Sequence, residues 1–259
     1  MLLKNKFQII FLVLLVFLNV SCSKTQDEPK EIIIDPVIVP PVNSAQKLSK
    51  ISQVNATGIE TISEFSYDSN GKISLESTTT HTFTPIYNSK GQIISIAKIP
   101  KGLGEKIIYV LEYDADSRLI KQTRTTTSVS GAISKAVSNY EYNPAGKLNK
   151  LTTGEYITAF TWIADNLAEM KGSNLGVPVV SFKTDSYDDK TNPFYSIKSF
   201  IEITHNTFAS KNNPINNLTA IQNGTTTNFL MTYLYNSSGN VSQATTTSSS
   251  GTSIVKYYY

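Results

Sequence analysis

Tyr67-Asp-Ser-Asn-Gly71-Lys-Ile73 is the first of several related seven-residue stretches in this chain. Asp68 suits the first position of a type I turn, and Gly71 suits the left-handed backbone at the fourth position. The other copies, the last of them degenerate, are Tyr87-Asn-Ser-Lys-Gly91-Gln-Ile93, Tyr142-Asn-Pro-Ala-Gly146-Lys-Leu148, Tyr235-Asn-Ser-Ser-Gly239-Asn-Val241 and Tyr113-Asp-Ala-Asp-Ser117-Arg-Leu119. Each copy therefore predicts a β-hairpin.

Apolar residues alternate with polar ones on both sides of the turns, as at Phe65, Tyr67, Ile73 and Leu75. This alternation is typical of strands with one buried face. Successive copies start 20, 26, 29 and 93 residues apart, which is too irregular for a solenoid with a fixed repeat. Consecutive hairpins instead favour an antiparallel meander.

Threonine tracts lie between the hairpins, at 78–80, 125–127, 225–227 and 245–247. Threonine suits the solvated face of a sheet. We therefore predict a mainly all-β fold, an antiparallel meander of β-hairpins that forms a largely single-layer twisted sheet. Thr, Ser and Lys would lie on one face of this sheet, and Tyr, Ile and Leu on the other.

Residues 162–218 depart from the hairpin pattern and form an irregular, insertion-like segment of the predicted domain, which covers 47–259. Val177–Phe182 indicates a strand, while apolar residues at 194, 197, 200 and 201 have the spacing of a helix. We expect one short helix and its flanking loops to cover part of the apolar face.

Residues 1–21 have the features of a signal peptide. Lys4 and Lys6 precede an apolar run from Ile9 to Leu18, which is too short to cross a bilayer, since about 20 residues are needed. Cys22 follows as in a bacterial lipoprotein signal peptide, although Asn19 is not the aliphatic residue usual at its position. We predict lipidation of Cys22 with palmitate-type chains and a Pro-containing tether over 22–46.

The composition excludes several classes of function. The chain of 259 residues contains 30 Ser, 29 Thr and 21 Asn, and its formal net charge is +3, which gives no electrostatic case for binding nucleic acid. One Cys and two His exclude a disulfide framework and a Cys/His zinc cluster. No cofactor is expected.

Two groups of acidic residues are candidates for chemistry. Asp185, Asp188, Asp189 and Asn192 could supply oxygen ligands to Ca²⁺, but their spacing is not that of an EF-hand, and we favour turn formation as their role. Paired carboxylates for glycoside hydrolysis could come from a second set, whose separations one sequence does not give. Its members are Glu112, Glu141, Glu155, Asp185 and Glu202.

His81 and His205 are 124 residues apart and accompany no serine-nucleophile motif, so neither is predicted to be a catalytic base. Trp162 and Tyr187 are the candidate ligand-binding residues, because aromatic side chains with polar tips suit carbohydrate faces. The alternative for the tyrosines is that each one completes the apolar face of its hairpin.

The hairpin motifs resemble the YD repeats of Rhs-type proteins. Tyr187-Asp-Asp-Lys-Thr-Asn-Pro-Phe194, followed by Ser210-Lys-Asn-Asn-Pro214, resembles an uncharacterised family of Bacteroidota cell-envelope lipoproteins over roughly residues 47–259. This resemblance implies a cell-envelope lipoprotein with a largely single-layer antiparallel sheet and no assigned activity. It supplies no catalytic residues.

Together these features predict a lipoprotein of the cell outer membrane, held there by Cys22, that serves as a non-enzymatic binding or scaffold module. Its partners would be a glycan or an envelope protein and not nucleic acid. Ser23 is typical of sorting to the outer membrane, and Asp27 with Glu28 resembles a surface-export signal; periplasmic and surface orientations both stay open. The alternative is a periplasmic or surface glycan-processing enzyme that uses an acidic pair.

Overall fold

The computed structural model describes residues 46–205, 207–222 and 224–259. The signal peptide, Cys22 and most of the tether lie outside this range. The described residues form 16 antiparallel strands in chain order. They are β1 Lys50–Val54, β2 Glu60–Tyr67, β3 Ile73–Thr78, β4 His81–Tyr87, β5 Ile93–Pro100, β6 Lys106–Tyr113, β7 Leu119–Thr127, β8 Ile133–Tyr142, β9 Leu148–Thr153, β10 Tyr156–Ile163, β11 Asn166–Asn174, β12 Val177–Thr191, β13 Asn212–Gln222, β14 Thr225–Tyr235, β15 Val241–Ser248 and β16 Gly251–Tyr258.

The sheet closes on itself. Each strand pairs with its neighbours in the sequence, and β1 also pairs antiparallel with β16, with Ser52 opposite Lys256. The all-β antiparallel meander is confirmed, but the prediction of a largely single-layer twisted sheet is wrong, because the strands form a closed barrel. Closure pairs the N–H and C=O groups that two open edges would leave exposed, and it encloses the apolar face.

The two faces of the barrel wall differ in polarity as the alternation predicts. In β6, Ile107, Tyr109 and Leu111 are buried inside, whereas Lys106 and Glu112 are exposed outside. Ion pairs on the outer face join neighbouring strands or residues of one strand. These pairs are Lys121 with Glu112 at 2.8 Å, Lys150 with Glu141 at 2.9 Å, Lys171 with Glu169 at 2.9 Å and Lys183 with Asp185 at 3.8 Å.

The predicted hairpin turns are confirmed. Gly71 and Gly146 have φ angles of 78° and 73°, and in the degenerate copy Ser117 adopts the same left-handed region at 67°. Asp68 Oδ1 accepts hydrogen bonds from the backbone N–H groups of Asn70 and Lys72, at 2.9 and 2.8 Å. An Asp or Asn side chain thus organises the turn, as expected.

On the even-numbered strands from β2 to β12, a tyrosine or tryptophan donates a hydrogen bond to a backbone carbonyl of the segment before it. Tyr87 donates its hydroxyl proton to the carbonyl oxygen of Ile73 at 2.9 Å, and Tyr113 donates to that of Ile93 at 2.7 Å. The same contact recurs along six consecutive hairpins, which we call the tyrosine belt. Its other members are Tyr67 to Leu48 at 2.7 Å, Tyr142 to Leu119 at 2.9 Å, Trp162 Nε1 to Leu148 at 2.6 Å, and Tyr187 to Leu167.

Cationic side chains lie over the ring faces of several belt tyrosines. The ammonium group of Lys72 lies 5.2 Å from the ring centroid of Tyr87, and the guanidinium of Arg118 lies 5.5 Å from that of Tyr142. A Cβ atom at Gly91 would lie 2.8 Å from Lys72 Nζ, so this glycine also makes room for the lysine. We call this end of the barrel, with its belt and motif turns, the tyrosine end.

A short segment between β12 and β13 enters the barrel from the tyrosine end. Residues 192–205 and 207–211, here called the plug, contain a 3₁₀ turn at Tyr195–Ile197 and the helix α1 at Lys198–His205. The expected short helix is therefore confirmed, slightly further along the chain than predicted. In the described part of the chain no helix is long and apolar enough to cross a membrane.

The plug supplies much of the core. Phe200, Ile201 and Ile203 are buried and pack in one apolar cluster with inward residues of β2 to β6. Phe208 makes an edge-on contact with Phe160 of β10, with ring centroids 4.5 Å apart. The plug therefore bridges two parts of the barrel wall. The rest of 162–218 forms barrel strands or their turns.

Gly146→Val should lower the free energy of unfolding by about 1 to 3 kcal/mol, because a β-branched residue is strained at this φ. No atom lies within 4 Å of the Cβ that the substitution adds, so the loss would report backbone strain alone. Chemical denaturation measures it. The control is Gly102→Val, where space is equally open and φ is not left-handed. Equal stability of the two variants would contradict the turn assignment.

Tyr113→Phe should destabilise the barrel by about 0.5 to 1.5 kcal/mol, since it removes the hydrogen bond to the Ile93 carbonyl. Tyr258→Phe is the matched control, because the Tyr258 side chain is 45% exposed. Thermal unfolding of both variants tests the belt. A loss no larger than that of the control would show that the belt hydroxyl contributes nothing to stability.

Candidate functional site

Towards the end of the barrel opposite the tyrosine end, the inner face of β7 and β8 carries polar side chains. We call this end, where the strands end at Thr78, Thr127 and Thr153, the threonine end. Inward residues of β7 and β8 are only partly buried there, and Ser134 is exposed. We name these side chains, together with Lys98, the inner polar wall. The β7 and β8 members are Gln122, Arg124, Thr126, Ser134 and Ser138.

Two cations face the interior from strands on either side of β6. Lys98 of β5 pairs with Ile107, and Arg124 of β7 pairs with Tyr109. Two strand spacings and an offset of two residues place their Cα atoms about 12 Å apart. The two cations are close enough for the charge of Arg124 to act on Lys98.

The surroundings of these cations are electrostatically unfavourable. Burial lowers the pKa of Lys98, and the nearby charge of Arg124 lowers it further; Glu105 and Glu76 oppose the shift more weakly. The Lys98 ammonium lies 5.4 Å from the Phe83 ring centroid. Arg124 Nε is buried without a hydrogen-bond partner, and among the described residues Arg124 has no ion-pair partner.

Glu76 is already bound to the plug. Its side chain is 1% exposed, and its carboxylate oxygens lie 2.8 and 3.0 Å from His205 Nε2. The His205 ring also packs on Phe83, with centroids 5.3 Å apart. Because His205 ends α1, this pair fixes the helix C-terminus to β3. Glu76 is therefore not free to neutralise Lys98 fully.

Glu202 is the second inward acid. Burial raises its pKa to about 7, and Lys198 opposes this shift. Glu202 in turn adds to the raised pKa of Tyr140, for which burial is the larger cause. The Tyr140 hydroxyl donates to Gln122 Oε1 at 2.8 Å, which leaves the amide N–H groups of Gln122 pointing away from this contact.

Trp162 and Tyr187 lie in the tyrosine belt, where the polar atom of each binds a backbone carbonyl.

Asp188 accepts from the backbone and side-chain N–H groups of Asn213 at 3.0 and 2.9 Å, and also from the Tyr235 hydroxyl. Asn192 Oδ1 accepts from the Phe194 N–H at 2.9 Å. Within the described ranges no three His, Cys, Asp or Glu side chains are grouped to hold a metal.

The proposed acidic pairs are dispersed. Glu112 and Glu141 lie outside the barrel in ion pairs with lysines, whereas Glu202 lies inside on the plug. His81 Nδ1 contacts Thr80 Oγ1 at 2.8 Å and lies at the start of β4.

Lys98 and Arg124 were missed by the sequence reasoning. Each is a charged residue at an inward position of a strand in which inward and outward residues alternate. It can be recognised only when the register shows which positions face inward.

Glu202→Gln should remove a pH dependence of stability. A carboxyl whose pKa rises from 4.5 to about 7 on folding holds more protons in the folded state, so stability falls as the pH rises through this interval. Relative to Glu202→Gln, wild-type protein should lose about 3 kcal/mol between pH 4.5 and 8. Denaturant unfolding at several pH values measures this difference. Glu112→Gln is the exposed control, and a constant difference between wild type and Glu202→Gln would contradict the expectation.

Comparisons with known proteins give no family. No protein-family model matches this chain, and no curated protein matches it. Among solved structures, a porin-like protein from Bacteroides uniformis matches with a TM-score of 0.50 and 14% identity, over 82% of this chain and 96% of that one. A porin-like protein from Bacteroides vulgatus matches with a TM-score of 0.40 and 14% identity, over 83% and 99%. The first of these likenesses supports the barrel fold.

Proposed function

We propose that the protein is an outer-membrane lipoprotein whose barrel lies in the aqueous phase and acts as a non-enzymatic binding module. The observation that carries this proposal is the polarity of the barrel wall, which has apolar side chains inside and ion pairs outside. A porin-like protein from Bacteroides uniformis with a similar fold agrees with an envelope location.

The outer face of the described strands mixes ion pairs with exposed apolar side chains such as Val110 and Leu230, a mixture unsuited to lipid. A membrane-spanning barrel carries an outward apolar band about 25 Å tall with aromatic girdles, and a Lys near the bilayer midplane costs about 2 to 4 kcal/mol. Here Lys171 and Glu169 lie near the middle of β11 on the outer face and bind each other. Threonines at 123, 125 and 127 form the outward row of β7 together with Lys121. The membrane attachment is therefore assigned to Cys22 and its lipid chains.

The tether would join the barrel at the tyrosine end. Leu48, near the first described residue, accepts the hydroxyl hydrogen bond of Tyr67 in the belt. Acyl chains contribute about 0.8 kcal/mol for each buried methylene, so two or more chains on Cys22 suffice for a stable anchor. In this arrangement the threonine end is directed away from the point of attachment, and the inner polar wall is reached from the water phase.

We place ligand binding at the inner polar wall. The polar atoms of Trp162 and Tyr187 already serve the belt, whereas the wall offers partly exposed hydroxyls and an unpaired Arg124 Nε. The dispersed carboxylates favour binding over glycoside hydrolysis, for which two acids must flank one bond. A soluble glycan or a segment of an envelope protein would be the ligand.

Cys22→Ala should leave the protein without a palmitate label and move it from the membrane to the soluble fraction. Metabolic labelling followed by cell fractionation tests both points. Ser23→Ala is the control, because it keeps the sole cysteine and should keep the label. An unlabelled Cys22→Ala protein that still resists alkaline extraction from membranes would show that the barrel itself is inserted, and would overturn the proposal.

A further inference from the structure

We infer that the inner polar wall binds a ligand through an oxyanion, a carboxylate or a phosphate group, held between Lys98 and Arg124. This inference rests on the proposed binding function and adds the chemical class of the ligand. It is carried by two inward cations that face one region of the interior without carboxylates to pair with them.

The first step of the argument concerns charge. Two cations on one partly buried wall repel each other, and the repulsion is stronger than in water because the interior is less polarisable. In the outer face, by contrast, lysines such as Lys121 and Lys150 each have a carboxylate within 3 Å. An anion between Lys98 and Arg124 would remove the repulsion, so its binding is favoured by the existing charges.

The second step concerns competition from acids of the chain itself. Glu76 is the acid near Lys98 on the neighbouring wall, and both of its oxygens contact His205. Glu105, in the turn before β6, also favours the charged form of Lys98. Burial raises the pKa of Glu202 to about 7, and Lys198 opposes this shift. Among the described residues no ion pair joins an acid to Lys98 or Arg124, so the anion of a ligand can bind between them.

The third step concerns hydrogen bonds. A guanidinium presents its N–H groups as a planar fork that matches two oxygens of a carboxylate or phosphate. The amide of Gln122 lies one inward position from Arg124 along β7, and Ser138 lies opposite Gln122 on β8. Ser138 shares a hydrogen bond of 2.7 Å with Thr153. Hydroxyl and amide donors beside two cations fit an oxyanion attached to a polar, hydroxylated ligand such as an acidic sugar.

Isothermal titration of the full lipidated protein in non-ionic detergent tests the inference. The probes are inorganic phosphate, galacturonate, glucose 6-phosphate and, as the uncharged comparison, glucose. We expect saturable binding of at least one anionic probe and none of glucose. Phosphate alone would identify a free-ion site, whereas preference for galacturonate or glucose 6-phosphate would identify an acidic-sugar site; both results support an oxyanion ligand.

Variants then assign the residues. Lys98→Gln and Arg124→Gln should each weaken binding of the anionic probe at least tenfold, and Arg124→Lys should weaken it less, because it keeps the charge but loses the fork. Lys121→Gln lies on the outer face of the same strand as Arg124 and should bind as the wild type does. Melting curves recorded beside each titration confirm that every variant is folded.

A second measurement needs no variant. Phosphate or galacturonate should raise the melting temperature of the wild-type protein above that in chloride at equal ionic strength, because a ligand of the folded state stabilises it. Absence of saturable binding and of this stabilisation for all three anions would overturn the inference. Equal affinity of the wild type and both glutamine variants would overturn it as well. Glucose binding that ignores the cations would overturn the oxyanion assignment while leaving a binding module, and fractionation of Cys22→Ala tests the anchoring independently.

Discussion

The hydrogen bond from each belt tyrosine to the preceding hairpin is the interaction on which the barrel depends most directly. A single hairpin is marginally stable in water, and the motif turn fixes only its own two strands. Tyr87 and Tyr113 extend that order to the neighbouring hairpin. Tyr87 binds the carbonyl of Ile73, the first residue of β3, and Tyr113 binds the carbonyl of Ile93, the first residue of β5. The orientation of one hairpin is thereby passed to the next from β2 to β12.

The hairpins could be predicted from the sequence because all their determinants are local. Asp68 and Gly71 shape one turn within a few residues, and the alternation of Phe65 with Tyr67 shows which face is buried. Closure could not be predicted in the same way. It depends on the pairing of β1 with β16, about 200 residues apart in the chain, and neither strand carries a sign of its partner.

The candidate site was hidden for a related reason. Lys98 and Arg124 are separated by a strand and a loop, so their shared environment depends on the register across β6. Trp162 and Tyr187 were proposed from the sequence as ligand-binding residues, but their polar atoms form hydrogen bonds of the belt. The resemblance to envelope lipoproteins pointed to a location, whereas the polarity of the two faces of the wall favours a barrel outside the lipid. These two lines of argument together lead to the proposed tethered binding module.

The pairing of β1 with β16 also bears on how the barrel is assembled. Ser49 N–H binds the Tyr258 carbonyl at 2.7 Å, so the two ends of the described domain lie side by side. Every other strand pair joins consecutive strands and can form early, whereas closing a loop of about 200 residues costs about 5 kcal/mol in chain entropy. In a chain that folds hairpin by hairpin, this junction forms last. Because its ends are adjacent, the domain is suited to circular permutation, with the chain reopened at a turn of the threonine end. The strand pair that forms last would then be a different one.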